Sequence, residues 1–134
     1  MTIESVPARC GHVCWIDLAA RDAERAADFY RDLFDWRVDH ERLGGGTLRR
    51  LSRDGVDVGS LYQLGARPLM AGAPSHWTPY VAVADLAAAC QRAGELGGRV
   101  LVRAFEVPGV ARVGLVLDPV GAMIGLWESP PSGG

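Results

Sequence analysis

The sequence has no excess of basic charge: 14 Lys and Arg stand against 16 Asp and Glu, for a formal charge of −2, and the isoelectric point is near 5.9. Without a positive field to attract a polyanion, neither nucleic acid nor an anionic membrane is an expected partner. The sequence also lacks any apolar run approaching the roughly 18 residues that a membrane-spanning helix needs. Its opening MTIESVPARC has no basic stretch followed by an apolar one, so the cytoplasm is the expected compartment. Cysteine is sparse. Cys10, Cys14 and Cys90 are an odd number with no CxxC pair, which points to free thiols. Cys10 and Cys14 would share a strand face, but only His12 lies nearby as a further soft-metal ligand. No Ser-His-Asp, Cys-His or dense carboxylate constellation occurs. The glycines at 44 to 46 lack the Lys-Ser/Thr of a phosphate cradle and read as a loop.

What is present suits a single globular domain. Apolar residues make up 49% of the 134 and charged residues 22%, and a chain of this length buries roughly two thirds of its unfolded surface without staples. An internal repeat organises it. HVCWIDLAARD leads into AERAADFYRDLFDW, and TPYVAVAD leads into LAAACQRAGELGGRV; each is an apolar strand followed by a short amphipathic helix. Asp22 and Asp85 sit where a carboxylate accepts from first-turn amides at the positive end of the helix dipole. Stripes of Ala26, Tyr30 and Leu33, and of Leu86, Cys90, Ala93 and Leu96, are expected to pack each helix on a sheet. Three extended stretches follow each helix, the last two joined by tight turns at Arg53-Asp54-Gly55 and Asp118-Pro119-Val120-Gly121. The expected fold class is α+β: two βαβββ modules forming a curved mixed sheet with a central cleft. Module 1 covers about 12–64, a linker 65–75, module 2 about 76–128 and a flexible tail 129–134.

This arrangement, with the strings DxxxAxxFYxxLFxW and DPxGAxIxLW, resembles the vicinal-oxygen-chelate superfamily of glyoxalases, dioxygenases and bleomycin-resistance proteins. The resemblance runs from about His12 to Glu128. It implies that cleft-facing His, Gln or Glu side chains on the first and last strand of each module would chelate a metal. Carried over, those positions hold Trp15, Gly59, Pro79 and Gly125, none of which ligates a divalent ion through its side chain. No metal and no other cofactor is expected. A slip of one residue would substitute Cys14, Ile16, Ser60 or Tyr80, and Asp17 and Asp57 are the only carboxylates close by.

Period-two alternation turns Trp15 and Asp17 into the cleft with Val13, and Trp77, Pro79 and Val81 with Val83. Met123, Gly125 and Trp127 would face them, with Arg112, Gly114 and Val116 opposite, and Leu48, Gly59 and Leu61 from module 1. The glycines would clear a floor and the indoles supply stacking worth about 0.5 to 1.5 kcal/mol beyond area burial. Trp36 fits the core, while Trp77 and Trp127 fit core and cleft equally. His76 suits a base or a solvated loop; His12 and His40 read as surface residues. Arg112 suits either the cleft mouth, where it would bind an anionic group, or the surface. Asp17 either faces solvent at the rim or, facing inward, needs a partner such as Arg112 or Arg50.

A wide apolar lining with few polar groups suits a small aromatic or amphipathic ligand. The resemblance implies sequestration of a natural product, as in self-resistance proteins for bleomycin, mitomycin or anthraquinone-fused enediynes, by a homodimer. The alternative is a metal-independent isomerase, cyclase or lyase of secondary metabolism with Asp17, His76 or Tyr80 as acid or base. A metal-dependent glyoxalase or dioxygenase is the least favoured reading.

Overall fold

A computed structural model describes residues 9–43, 46–107 and 110–130. Of the loop expected at 44–46, Gly44 and Gly45 lie outside them and Gly46 opens a strand; residues 131–134 of the expected tail also lie outside. Eight strands in mixed parallel and antiparallel pairing and three helices make an α+β fold among the described residues. In order these are β1 (Val13–Ala20), α1 (Ala23–Phe34), β2 (Arg37–Leu43), β3 (Gly46–Arg53), β4 (Val56–Gln63), α2 (Ala66–Met70), β5 (His76–Ala82), α3 (Leu86–Glu95), β6 (Arg99–Val107), β7 (Ala111–Leu117) and β8 (Met123–Glu128). None of the helices is long and apolar enough to cross a membrane.

The chain divides into two compact units. One spans Ile16–Trp77; the other joins Thr78 and the residues after it to the segment ending at Trp15. The first has the strand order β2-β3-β4-β1. Its hairpins are antiparallel, whereas β1 and β4 run parallel with Asp17 opposite Ser60. Leu18, Ala20, Leu51 and Leu61 pack against Ala23 and Ala27 of α1. The expected stripe through Leu33 is corrected here: small alanines meet the sheet, and Leu33 stays 57% exposed. In the second unit the order is β5-β8-β7-β6, with β5 and β8 parallel. Leu86 and Cys90 are the buried face of α3. Leu96, expected in that stripe, caps the helix and is 60% exposed.

Both helices begin as their sequences require. Asp22 is extended and accepts from the Arg25 amide at 3.1 Å, and Asp85 does the same for Ala88 at 3.0 Å. Each such cap contributes about 1 kcal/mol. Within the first unit, the 65–75 linker expected as a loop between the two modules holds the short α2. The Arg21 guanidinium donates to the Ala73 carbonyl at 2.8 Å and to that of Leu69 at 3.3 Å, tying this segment to the end of β1.

Candidate functional site

Each unit has a sheet face turned away from its helix, and these faces carry the chemistry. In the first unit, alternation along β1 puts Leu18 and Ala20 under α1 and turns Asp17 to the other side. The Ser60 hydroxyl donates to the Asp17 carboxylate at 2.6 Å. The carboxylate is only 7% exposed, and burial, partly offset by the Ser60 hydrogen bond and the positive charge of His76, pushes it up to about 6. Tyr62, two residues beyond Ser60 on β4, is raised by its own burial and by the Asp17 charge. On β3, Arg50 lies opposite Ser60 and pairs with Asp57 at 3.1 Å. Leu48, two residues earlier, shares the Arg50 face as expected. His76 holds its Nδ1 within 3.0 Å of the Pro74 carbonyl oxygen, which leaves Nε2 for other contacts.

In the second unit the corresponding face is an aromatic layer. Trp15 stacks on Trp127 with ring centroids 4.9 Å apart, and Tyr80 meets Trp127 edge to face at 6.1 Å. Ala111 and Val113 complete the cluster, and Cys14, Trp15 and Leu115 pack against it. Burial raises the Cys14 thiol above its ordinary value. Trp127 and Tyr80 are buried and Trp15 is half-buried, so the Trp15 indole is the part of the layer that meets solvent. Met123, Gly125 and Trp127 alternate onto this face as the sequence implies.

Several of the expected cleft residues point elsewhere. Leu61 is buried beneath α1, and Gly59 directs its missing side chain at the Ile16 carbonyl, while Ser60 between them takes the Asp17 side. Trp77 packs against the α1 cluster and donates its indole N–H to the Tyr30 hydroxyl at 3.2 Å. Pro79 and Val81 alternate with Tyr80, which places them away from the aromatic layer. Gly114 faces Leu86 of α3. Arg112 lies 3.7 Å from the Glu128 carboxylate, whose other oxygen accepts from the Leu86 amide of α3 at 2.6 Å. It is therefore committed on the helix side instead of to the cleft. The glycine floor is corrected as well. A Cβ on Gly125 would lie 2.2 Å from the Tyr80 ring, and one on Gly59 would lie 2.1 Å from the Ile16 oxygen. Both spaces are already filled by neighbours.

Ser60 and Tyr62 are the residues that sequence reasoning gave no role in the site, and Tyr80 entered it only as a candidate acid or base, not as part of the aromatic layer. Ser60 and Tyr80 were within reach as the neighbours produced by a one-residue slip. The strands bearing the implied chelating positions offer Asp17 and Ser60 in one unit and ring carbons against a glycine in the other. Among the described residues no three His, Cys, Asp or Glu side chains gather. This donor chemistry does not fit a chelated divalent ion.

Comparison with known proteins agrees with this architecture. The model of the Glyoxalase/Bleomycin resistance protein/Dioxygenase superfamily matches residues 9–126. The putative glyoxylase CFP32 of Mycobacterium bovis is 32% identical over 127 residues, covering 90% of this chain and 47% of its own. The anthracycline biosynthesis protein DnrV of Streptomyces peucetius is 30% identical over 129 residues, covering 88% and 47%. This chain thus spans about half the length of the curated relatives it matches. The crystal structure of methylmalonyl-CoA epimerase from Mycobacterium tuberculosis superposes with a TM-score of 0.68 at 19% identity, covering 94% of this chain and 93% of that one. That likeness is one of fold.

Proposed function

Because the chain belongs to the glyoxalase, bleomycin-resistance and dioxygenase superfamily, we propose that it binds and sequesters a planar aromatic or amphipathic natural product, as a homodimer and without a chelated metal. The observation that carries this reading is the half-buried Trp15 indole, stacked on Trp127 at an interplanar angle of 28°, with Tyr80 edge to face on Trp127 behind it. A ring already stacked on its neighbour is preorganised, so a flat ligand gains area and stacking without ordering a side chain. Similarity to a protein named for anthracycline biosynthesis is consistent with a fused-ring ligand. Titration with a panel of aromatic antibiotics is expected to quench tryptophan emission in the wild type, with most of the change lost in Trp15→Ala. Emission that no compound alters would remove the proposal. Light scattering on the same sample reads the homodimer.

A second reading has its own observation. A buried carboxylate pushed up to about 6 is suited to take a proton near neutral pH. In this reading Asp17 is the base of a metal-independent isomerase, cyclase or lyase. Mass spectrometry of the incubated ligand separates the two: a changed ligand that Asp17→Asn leaves unchanged favours catalysis, and recovery of intact ligand favours sequestration.

A further inference from the structure

Helix α1 is built inside out. Its buried residues are Ala23 and Ala27, while Phe29 and Phe34 on its outer side are 57% and 44% exposed. Solvent-exposed rings grouped together mark a contact surface more often than a structural need. Beside them lies a groove of about 540 Å³ within the first unit. This volume is in the range of sites for small organic molecules. Leu18, Ala20 and Ala26 form an apolar floor. Tyr30 and Trp77 form the wall, edge to face at 5.4 Å, and Phe29 stands edge-on to Tyr30 at 5.0 Å as its lip. The Trp77 N–H is spent on the Tyr30 hydroxyl oxygen, so the wall presents ring carbon and one hydroxyl proton to the groove.

The rim carries the Arg21 and Arg25 cations and the Asp22 carboxylate, a net positive charge. Arg21 is engaged by the Ala73 and Leu69 carbonyls, and Asp22 accepts from the Arg25 amide while keeping its charge. Arg25 is among the residues that line the groove, and its guanidinium joins none of the ion pairs found among the described residues. An apolar, ring-walled floor under one uncommitted guanidinium matches an aromatic ring bearing a carboxylate.

We propose that this groove is a second small-molecule site, seating the ring of an amphipathic aromatic carboxylate against Phe29, Tyr30 and Trp77 with its anionic group on Arg25. It uses none of Trp15, Tyr80 or Trp127, so it stands or falls apart from the function proposed above. The four tryptophans give separate indole N–H signals in a proton–nitrogen correlation spectrum, and anthraquinone-2-carboxylate and its neutral carboxamide are the probes. The acid is expected to shift the Trp77 signal saturably and to bind about tenfold more tightly than the amide, a gain that Arg25→Gln abolishes. Phe29→Ser is expected to weaken both probes, and the Trp77 shift should persist in Trp15→Ala. Both substituted side chains sit at the groove's margin, and unchanged signals elsewhere in the spectrum confirm the fold. Equal affinity for acid and amide, or a static Trp77 signal, would overturn the proposal. So would a lower molar mass in solution for Phe29→Ser, which would assign the groove to contact between copies of this chain.

Discussion

Gly59→Ala is expected to destabilise the protein by about 3 kcal/mol, the upper end of what overpacking in a filled interior costs. The added methyl would stand 2.1 Å from the Ile16 carbonyl oxygen and 2.8 Å from its Cγ1. The first of these atoms is backbone in the parallel β1–β4 pair, so relief requires strand movement, not a change of rotamer. At this chain length the loss corresponds to a fall of about 10 °C in melting temperature. Gly125→Ala meets the buried Tyr80 ring, including Cγ at 2.6 Å on the axis about which the ring turns, so a cost of about 2 to 3 kcal/mol is expected there too. Gly94→Ala, in α3 with nothing within 4 Å, is the control and should be neutral or slightly stabilising. Thermal and urea denaturation followed by circular dichroism measure all three. A Gly59→Ala protein with the wild-type midpoint would mean that the two strands do not approach this closely.

The same glycine shows what could and could not be read from the sequence. The repeat of strand, capped helix and hairpins was legible because each feature is local. Asp22 and Asp85 bond amides within one turn, and positive φ at Asp54, Gly55 and Gly121 marks the turns where the residue types indicate them. The short α2 was not legible: five residues containing Pro68, entered from Gly65 with no side-chain cap, carry neither periodicity nor a start signal. Strand faces were harder still. In VDVGSLYQ and HWTPYVA apolar residues occur on both faces, because β4 and β5 each take part in parallel pairing with both sides covered. Alternation alone cannot orient such a strand, and an error of one residue reverses every side chain on it. That is how Gly59 and Pro79 stood in for Ser60 and Tyr80. On β1 and β8 the tryptophans fixed the direction, and there Trp15, Asp17, Gly125 and Trp127 emerge on the expected faces. Asp17 found Ser60 as its partner instead of an arginine, since register across β1 and β4 is a long-range fact that no local pattern encodes.

Asp17→Asn is expected to stabilise the protein at neutral pH, by on the order of 2 to 3 kcal/mol. The carboxyl rises from an ordinary 3.8 to about 6 on folding, chiefly because burial disfavours its charge. The folded chain therefore holds this proton more tightly than the unfolded chain does. Between about pH 4 and 6 the native state binds more protons, so wild-type stability declines as pH rises through that window, and the penalty is complete by about pH 7. Asparagine keeps an oxygen for the Ser60 hydroxyl to donate to and carries no charge to bury. Its advantage should vanish below pH 4, where the wild-type carboxyl is protonated in both states. His76 and Tyr62 are the other titratable groups coupled to this carboxyl. His76→Gln removes the charge that favours the carboxylate, so it should widen the gap between the two proteins. Paired melting curves from pH 3.5 to 8 give the answer. A gap that is constant with pH, or an asparagine variant less stable at pH 7, would mean that Ser60 and His76 hold the carboxylate ionised strongly enough to cancel its burial. A residue kept at this cost to stability is what a proton acceptor requires. If the pH-dependent gain appears and the variant still quenches Trp15 emission on binding while failing to convert its ligand, the catalytic reading would gain over sequestration.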